Sequence, residues 1–390
     1  MRLSLPAALL AGCTTALLLQ PAATATPEPI PQRRDFAGGG STTSLPLPAG
    51  FGLAPRGTDP FELLGLGWDG PADALAGAVV RVRTRDAATG RWTDWHRLEA
   101  DSTDGPDHAV RGATAPLWTG RSNGVAVEVR PGPAGVPPGL RLDLVDPGNG
   151  AASTAVGVLP AEPPRALSEP QTGSSAEPPA GSSAEQPKGQ APRPAIVTRA
   201  GWGADESLRD PDFVYTGPVR EVFVHHTDSA TDYACGDAPR VIRAIYQYHV
   251  TTNGWRDVGY NFLIDRCGTV YEGRAGGVER PVHGAHTLGF NTDSAGIAAI
   301  GTYVDDQPTQ PLLDGLAAIA AWKLGLTAQP ADGRTKLTSG SSASRYPKGT
   351  VVDFDAVSGH RDAVATECPG SALYARLPDL RATAAGLQAS

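Results

Sequence analysis

Val222-Phe223-Val224-His225-His226-Thr227 is an apolar run that ends in two histidines. β-Branched and aromatic residues in a short uninterrupted run read as a buried strand, here from about Val219 to His226. A second stretch is Gly359-His360-Arg361-Asp362-Ala363-Val364-Ala365-Thr366-Glu367-Cys368-Pro369-Gly370. It sets a His and a Cys among turn-forming residues. With one histidine from the strand end, His360 and Cys368 make two imidazoles and a thiolate. That set suits zinc, and three protein ligands with one open position is the arrangement of a catalytic site. Neighbouring residues on a strand face opposite sides, so one of His225 and His226 faces the site and the other does not.

The surroundings alternate between helix and strand patterns. Asp237 and Pro239 open a helix to about Val250, with Ile242, Ile245, Tyr246 and His249 on one face. Tyr260 to Arg266 and Thr269 to Glu272 read as a hairpin around Cys267-Gly268. Ser294 to Tyr303 is a buried strand. Thr309 and Pro311 open a helix from Gln310 to Leu326, with Leu312, Leu316, Ile319, Ala320 and Lys323 along one side. Ala328 to Pro347 reads as a loop with a short ribbon, and Ser371 to Leu387 as a final helix. The sum is an α/β domain around a mixed sheet, residues 195–390, with the site at strand ends.

Six pieces occur in one order: Arg199-Ala200-Gly201-Trp202-Gly203-Ala204, the HHT stretch, Gly254-Trp255-Arg256-Asp257-Val258-Gly259-Tyr260-Asn261-Phe262, Gly268-Thr269-Val270-Tyr271-Glu272-Gly273-Arg274, Gly284-Ala285-His286 and the GHRDA…CPG segment. From about Ile196 to Leu380 the chain resembles the zinc-dependent N-acetylmuramoyl-L-alanine amidases of the peptidoglycan recognition protein superfamily. The resemblance implies zinc ligands His225, His360 and Cys368, since the first histidine of the pair aligns with the ligand. It implies a catalytic Tyr260 near the metal's water. It places Thr366 where the family has Lys or Thr, to hydrogen-bond the oxyanion. Arg274, His286 and Asn291 are the substrate-side candidates, and Asp362 either orients a ligand or caps its loop. A related cytoplasmic branch uses a Glu on the equivalent strand and an Asp as third ligand. Here Ala298, Ala299, Ile300 and Cys368 stand instead, which points to the recognition-protein branch. The implied reaction is hydrolysis of the lactyl–L-alanine amide of bacterial peptidoglycan. The alternative is a non-catalytic peptidoglycan-binding protein on the same fold. No HExxH motif is present, so the familiar metalloprotease pattern is absent.

The chain has 390 residues and a net charge of -8, with a pI near 5.5. That acidic balance argues against a nucleic-acid or anionic-surface binder. The expected partner is a muramyl peptide, with no nucleic acid, no membrane span and a monomeric chain. Arg2, the apolar run Leu3 to Leu19 and Ala23-Thr24-Ala25 read as a signal peptide over residues 1–25 and hence a secreted or wall-associated protein. Leu10-Ala11-Gly12-Cys13 also resembles a lipoprotein box. With Cys13 in the leader and Cys368 on the metal, Cys235 and Cys267 remain as an even pair. In an exported chain they are expected to form a disulfide.

Residues 26–44 are rich in Pro, Gly and Thr and read as disordered. Over 45–147 the pattern turns to period two: Val80, Val82 and Thr84 alternate with arginines, Val125, Val127 and Val129 with Ala126, Glu128 and Arg130, and Leu140, Leu142 and Leu144 with Arg141 and Asp143. These are strands of an all-β, sandwich-like accessory domain. Trp92 and Trp95 read as a hairpin with one tryptophan in the core, a sugar-stacking platform being the alternative. Residues 148–194, with the repeated Gly-Ser-Ser-Ala-Glu, read as a semi-rigid spacer, suited to an enzyme on a fixed polymer network whose other domain is held elsewhere.

Overall fold

The computed structural model describes residues 30–47, 52–99, 105–106, 111–151, 155–163 and 190–390. The signal-peptide reading, the Cys13 alternative and the repeats of the spacer lie outside these. The expected order is met: an all-β domain precedes an α/β domain with a mixed sheet. No helix of the described residues is long and apolar enough to cross a membrane.

The first domain holds β1 (Gln32–Asp35), β2 (Ser41–Pro46), β3 (Gly52–Asp69), β4 (Val79–Asp86), β5 (His96–Leu98), β6 (Arg111–Ala113), β7 (Leu117–Arg130) and β8 (Arg141–Asp146). Among the described residues these join in one hydrogen-bonded sheet, β1-β2-β8-β3-β7-β4-β5, with β6 on β3. The long β3 and β7 slip register at three points along their pairing, where extra residues let a strand bend around a core. That core includes Phe61, Leu64, Leu66, Trp68, Val80, Val82, Val127 and Leu142.

One boundary moves. The segment read as disordered, 26–44, contains β1 and most of β2, because β2 pairs with β8 from Ser41↔Asp146 to Pro46↔Arg141. Composition does not reveal such long-range pairing. Trp92 and Trp95 are half-buried rather than in the core. The Arg83 guanidinium lies 5.2 Å from the Trp92 ring centre and 4.8 Å from that of Trp95. Outward-facing arginines on β4 thus cover both rings by cation–π stacking.

The second domain holds β9 (Val158–Leu159), β10 (Ile196–Val197), α1 (Arg199–Trp202), β11 (Glu221–His226), α2 (Ala238–Thr251), β12 (Phe262–Ile264), β13 (Val270–Glu272), β14 (Ser294–Ala299), α3 (Gln310–Gly325), β15 (Arg334–Thr338), β16 (Val351–Asp355), β17 (Val357–Gly359), α4 (His360–Ala363), α5 (Ser371–Tyr374) and α6 (Leu377–Ala389). Its sheet runs β17-β11-β14-β12-β13-β10-β9. β11 lies parallel to both β14 and β17, while β12 and β13 are antiparallel. β11 is buried along its whole length, as its apolar run requires. β15 and β16 form the short ribbon. The final helix is broken into α5 and α6, with Pro378 in the first turn of α6. Proline lacks the N–H that would continue a helix but is tolerated at a helix start. α3 is buried around most of its circumference, and Lys323 Nζ donates to the Val278 and Arg280 carbonyls at 2.7 and 2.8 Å.

The spacer is ordered at both ends. β9 pairs with β10, and Arg193 Nη2 meets Glu162 Oε1 at 2.6 Å. The domains do not stand apart. Leu63, Ala113, Trp118 and Val145 of the β domain share one apolar cluster with Val241, Ala244, Ile245 and Tyr248 of α2. Tyr248 Oη lies 3.1 Å from the carbonyls of Leu66 and Thr114. Glu62 is paired with Arg240 across the same seam. β3 is therefore buried on two faces, by its own core through Leu64, Leu66 and Trp68 and by α2 through Leu63.

Candidate metal centre and active site

β11 carries His225 to the C-terminal edge of the sheet, and β17 leads directly into α4, which begins at His360. The turn after α4 brings Cys368 back. Asp362 fixes that turn by accepting from Gly359 N at 2.9 Å and from Tyr374 Oη at 2.6 Å. It caps the segment, one of its two expected roles. Arg361 N donates to the Cys368 carbonyl at 2.9 Å, closing the loop.

One donor atom from each of His225, His360 and Cys368 lies within 4.8 Å of the other two, and all three residues are buried. His225 Nδ1 is 3.7 Å from Cys368 Sγ, and the His225 and His360 ring centres are 4.4 Å apart. Ligands on a tetrahedral zinc lie roughly 3.3–3.8 Å from one another, given metal–ligand bonds of about 2.0–2.3 Å. The buried N, N, S set therefore fits zinc, needing only small side-chain adjustment. The His226 backbone N–H donates to Cys368 Sγ at 3.3 Å, a contact that favours the thiolate a metal requires. A second grouping, Cys235, Asp265 and Cys267, is not a metal site, because Cys235 and Cys267 form the expected disulfide.

His225 Nε2 lies 3.3 Å from Thr287 Oγ1, and the same hydroxyl is 2.9 Å from His286 Nδ1. Thr287 thus holds the far side of the ring whose Nδ1 faces the cluster. His226 does not turn away from the site. It also lines the pocket, because the strand ends there, and its Nδ1 accepts from Tyr303 N at 3.3 Å.

A cavity of about 160 Å³ opens on the cluster. Tyr260, Thr366, His360 and Cys368 all line it. The Tyr260 ring centre is 5.3 Å from that of His225. Thr366 Oγ1 accepts from Cys368 N at 3.2 Å and leaves its own proton available to the cavity. His249, Asn253 and Trp255 also line the cavity. Sequence reasoning gave these no role at the site. The available signal was the position of His249 in the last turn of α2, directly before the Gly254-Trp255 turn.

The substrate-side candidates sit elsewhere. His286 and Asn291 are fully buried, and Asn291 Oδ1 accepts from the backbone N–H groups of His286 and Thr287 at 2.8 and 3.0 Å. They brace the loop behind His225 rather than face the cavity. Arg274 donates to the Val258 and His283 carbonyls at 2.9 and 2.8 Å and lines a separate small hollow beside Arg209 and Phe213. Burial lowers its guanidinium to about 10, so it remains charged at neutral pH. Several quoted motif pieces hold the fold instead of the site. Arg199 binds Glu206 and Asp257 and the Gly273 carbonyl, while Trp202 Nε1 donates to the Glu272 carbonyl at 2.7 Å.

Known proteins match both parts. A family described as N-acetylmuramoyl-L-alanine amidase matches residues 215–371. One described as Rv3811 N-terminal galactose-binding domain-like matches residues 21–171, a wider span than 45–147. A peptidoglycan recognition protein of Trichoplusia ni is 35% identical over 160 residues, covering 40% of this chain and 72% of that protein. An N-acetylmuramoyl-L-alanine amidase of Homo sapiens is 34% identical over 186 residues, covering 46% of this chain but only 27% of the human protein. The solved structure of Drosophila PGRP-LB is 28% identical, with a TM-score of 0.37 over 47% of this chain and 91% of that one. With the ordered motifs, the mixed sheet and the 72% of the Trichoplusia ni protein that is matched, this chain belongs to the superfamily of peptidoglycan recognition proteins and N-acetylmuramoyl-L-alanine amidases.

Proposed function

We propose that the chain is an exported, zinc-dependent N-acetylmuramoyl-L-alanine amidase. The observation that carries this reading is the gathering of His225, His360 and Cys368 within 4.8 Å beside a pocket lined by His360, Cys368, Tyr260 and Thr366. The relatives named as amidases support it, and both Tyr260 and Cys368 are present. Bound zinc supplies a nucleophile at neutral pH and polarises the scissile carbonyl. His225, His360 and Cys368 would hold it, with Thr287 fixing the His225 ring. The Tyr260 hydroxyl orients and exchanges a proton at the attacking oxygen. The Thr366 hydroxyl donates to the oxygen of the former carbonyl as negative charge builds there. Export is supported by the N-terminal apolar run and by the Cys235–Cys267 disulfide, which suits an oxidising compartment.

The test is digestion of purified peptidoglycan with and without a zinc chelator, with soluble products read by mass spectrometry. Free stem peptides beginning at L-alanine are expected, and are lost with chelator and in Cys368→Ala and Tyr260→Phe. Sedimentation with the wall without peptide release would leave the non-catalytic binder. Release of fragments cut at another bond would move the scissile position.

A further inference from the structure

The cavity over the metal cluster is not built by the amidase domain alone. Arg97 in the middle of β5, Glu99 just after that strand, and Ala115, between β6 and β7, line it from the β domain. They share it with Tyr260, His360 and Cys368. A larger hollow of about 800 Å³ adjoins it along the same seam. His96 and Ser229 line the larger hollow, and their chain neighbours Arg97 and Asp228 line the smaller. The seam is fixed. Besides the shared apolar cluster, Asn291 Nδ2 donates to the Gly105 carbonyl at 2.9 Å, tying the loop behind His225 to the β domain. The smaller cavity is below the roughly 300–1,000 Å³ usual for a ligand site, whereas the larger hollow lies within that range.

We propose that the β domain is one wall of the substrate site, that the stem peptide lies in the cleft between the two domains, and that Arg97 and Glu99 are its specificity-determining contacts on the β side. This rests on the amidase reading of the metal cluster. A guanidinium donates and a carboxylate accepts, so the pair matches the C=O and N–H groups of a peptide backbone. Burial and the nearby Asp228 and Glu367 push the Glu99 carboxyl up, while Arg97 acts the other way. Glu99 lines the shared cavity together with Asp228 and Glu367 of the amidase domain. Ala115 leaves room in the cleft that a large side chain would fill.

The test compares the full chain with the Arg97→Ala/Glu99→Gln double variant and with Ala115→Trp. The substrates are two soluble muramyl peptides with the same scissile amide, a dipeptide and a pentapeptide. Thermal melts identify any variant that fails to fold. The parent is expected to favour the pentapeptide in kcat/KM by about tenfold. The double variant is expected to bring that ratio to within twofold, chiefly through KM. Ala115→Trp is expected to slow both substrates at unchanged zinc content. An unchanged ratio in a folded double variant, or parental rates in Ala115→Trp, overturns the proposal. If the parent releases no peptide at all, the amidase reading fails instead. Calorimetric affinities for the same two peptides then apply the same ratio criterion to the cleft.

Discussion

Thr287 stands behind the His225 ring, its hydroxyl 3.3 Å from Nε2, while Nδ1 faces Cys368. Contacts of this kind fix ring tautomer and orientation, and losing one typically costs 10–100-fold in metal affinity. Thr287→Val keeps the buried volume and is expected to weaken zinc binding by about tenfold, read by competition with a chromogenic chelator. Parental affinity would leave the hydroxyl with no part in holding the ligand. At the opposite side of the site, Thr366→Val is expected to lower kcat by roughly 10²-fold with little change in zinc content, as for loss of one oxyanion donor. A fall in zinc content instead would make Thr366 a support for Cys368, whose N–H it accepts.

Among the elements, α2 and α3 carry the clearest consequences. The single helical turn Cys235–Asp237 before α2 is tied by the Cys235–Cys267 disulfide, 32 residues apart in sequence, to the turn between β12 and β13. Cys235→Ser/Cys267→Ser is expected to lower stability by about 3 kcal/mol in the chain-entropy model, measured by urea denaturation. In α3, burial pulls Lys323 from 10.5 down to about 7, with Glu279 acting in the other direction. Between those two values the unfolded chain holds a proton that the folded chain lacks. This group therefore adds stability as pH rises through that window and costs stability as pH falls toward 7. Lys323→Met is expected to flatten the rise in melting temperature between pH 7 and pH 10. An unchanged slope would mean that the Val278 and Arg280 carbonyls hold the ammonium charged in the fold.

Across the whole molecule, the seam between the domains behaves as a core. The backbone of Gly65 passes so close to α2 that an added Cβ would lie 2.2 Å from Tyr248 Oη. Gly65→Val is expected to force the domains apart and lower the melting temperature, and residues 190–390 produced alone should melt lower than the full chain because the α2 face loses Leu63, Trp118 and Val145. Equal melting temperatures would make the seam a weak contact. Much of this protein was legible from local chemistry. The apolar strand Glu221–His226 and the Asp237 and Thr309 helix starts rest on short-range patterns whose physics is carried by adjacent residues, whereas the choice of His225 with His360 and Cys368 came from the family resemblance. The cysteine pair followed from counting. Other features depend on partners distant in the chain. β1 and β2 exist because β8 pairs with β2, and the Trp92 and Trp95 rings are covered by arginines of β4. His286 and Asn291 lie behind the ligand instead of in front of it, since the loop between β13 and β14 folds under β11. The docking of β3 on α2, and with it the β-domain wall of the cleft, was decided only in three dimensions. A strand with Leu63 on one face and Leu64 and Leu66 on the other states that both faces are buried, but not what buries them.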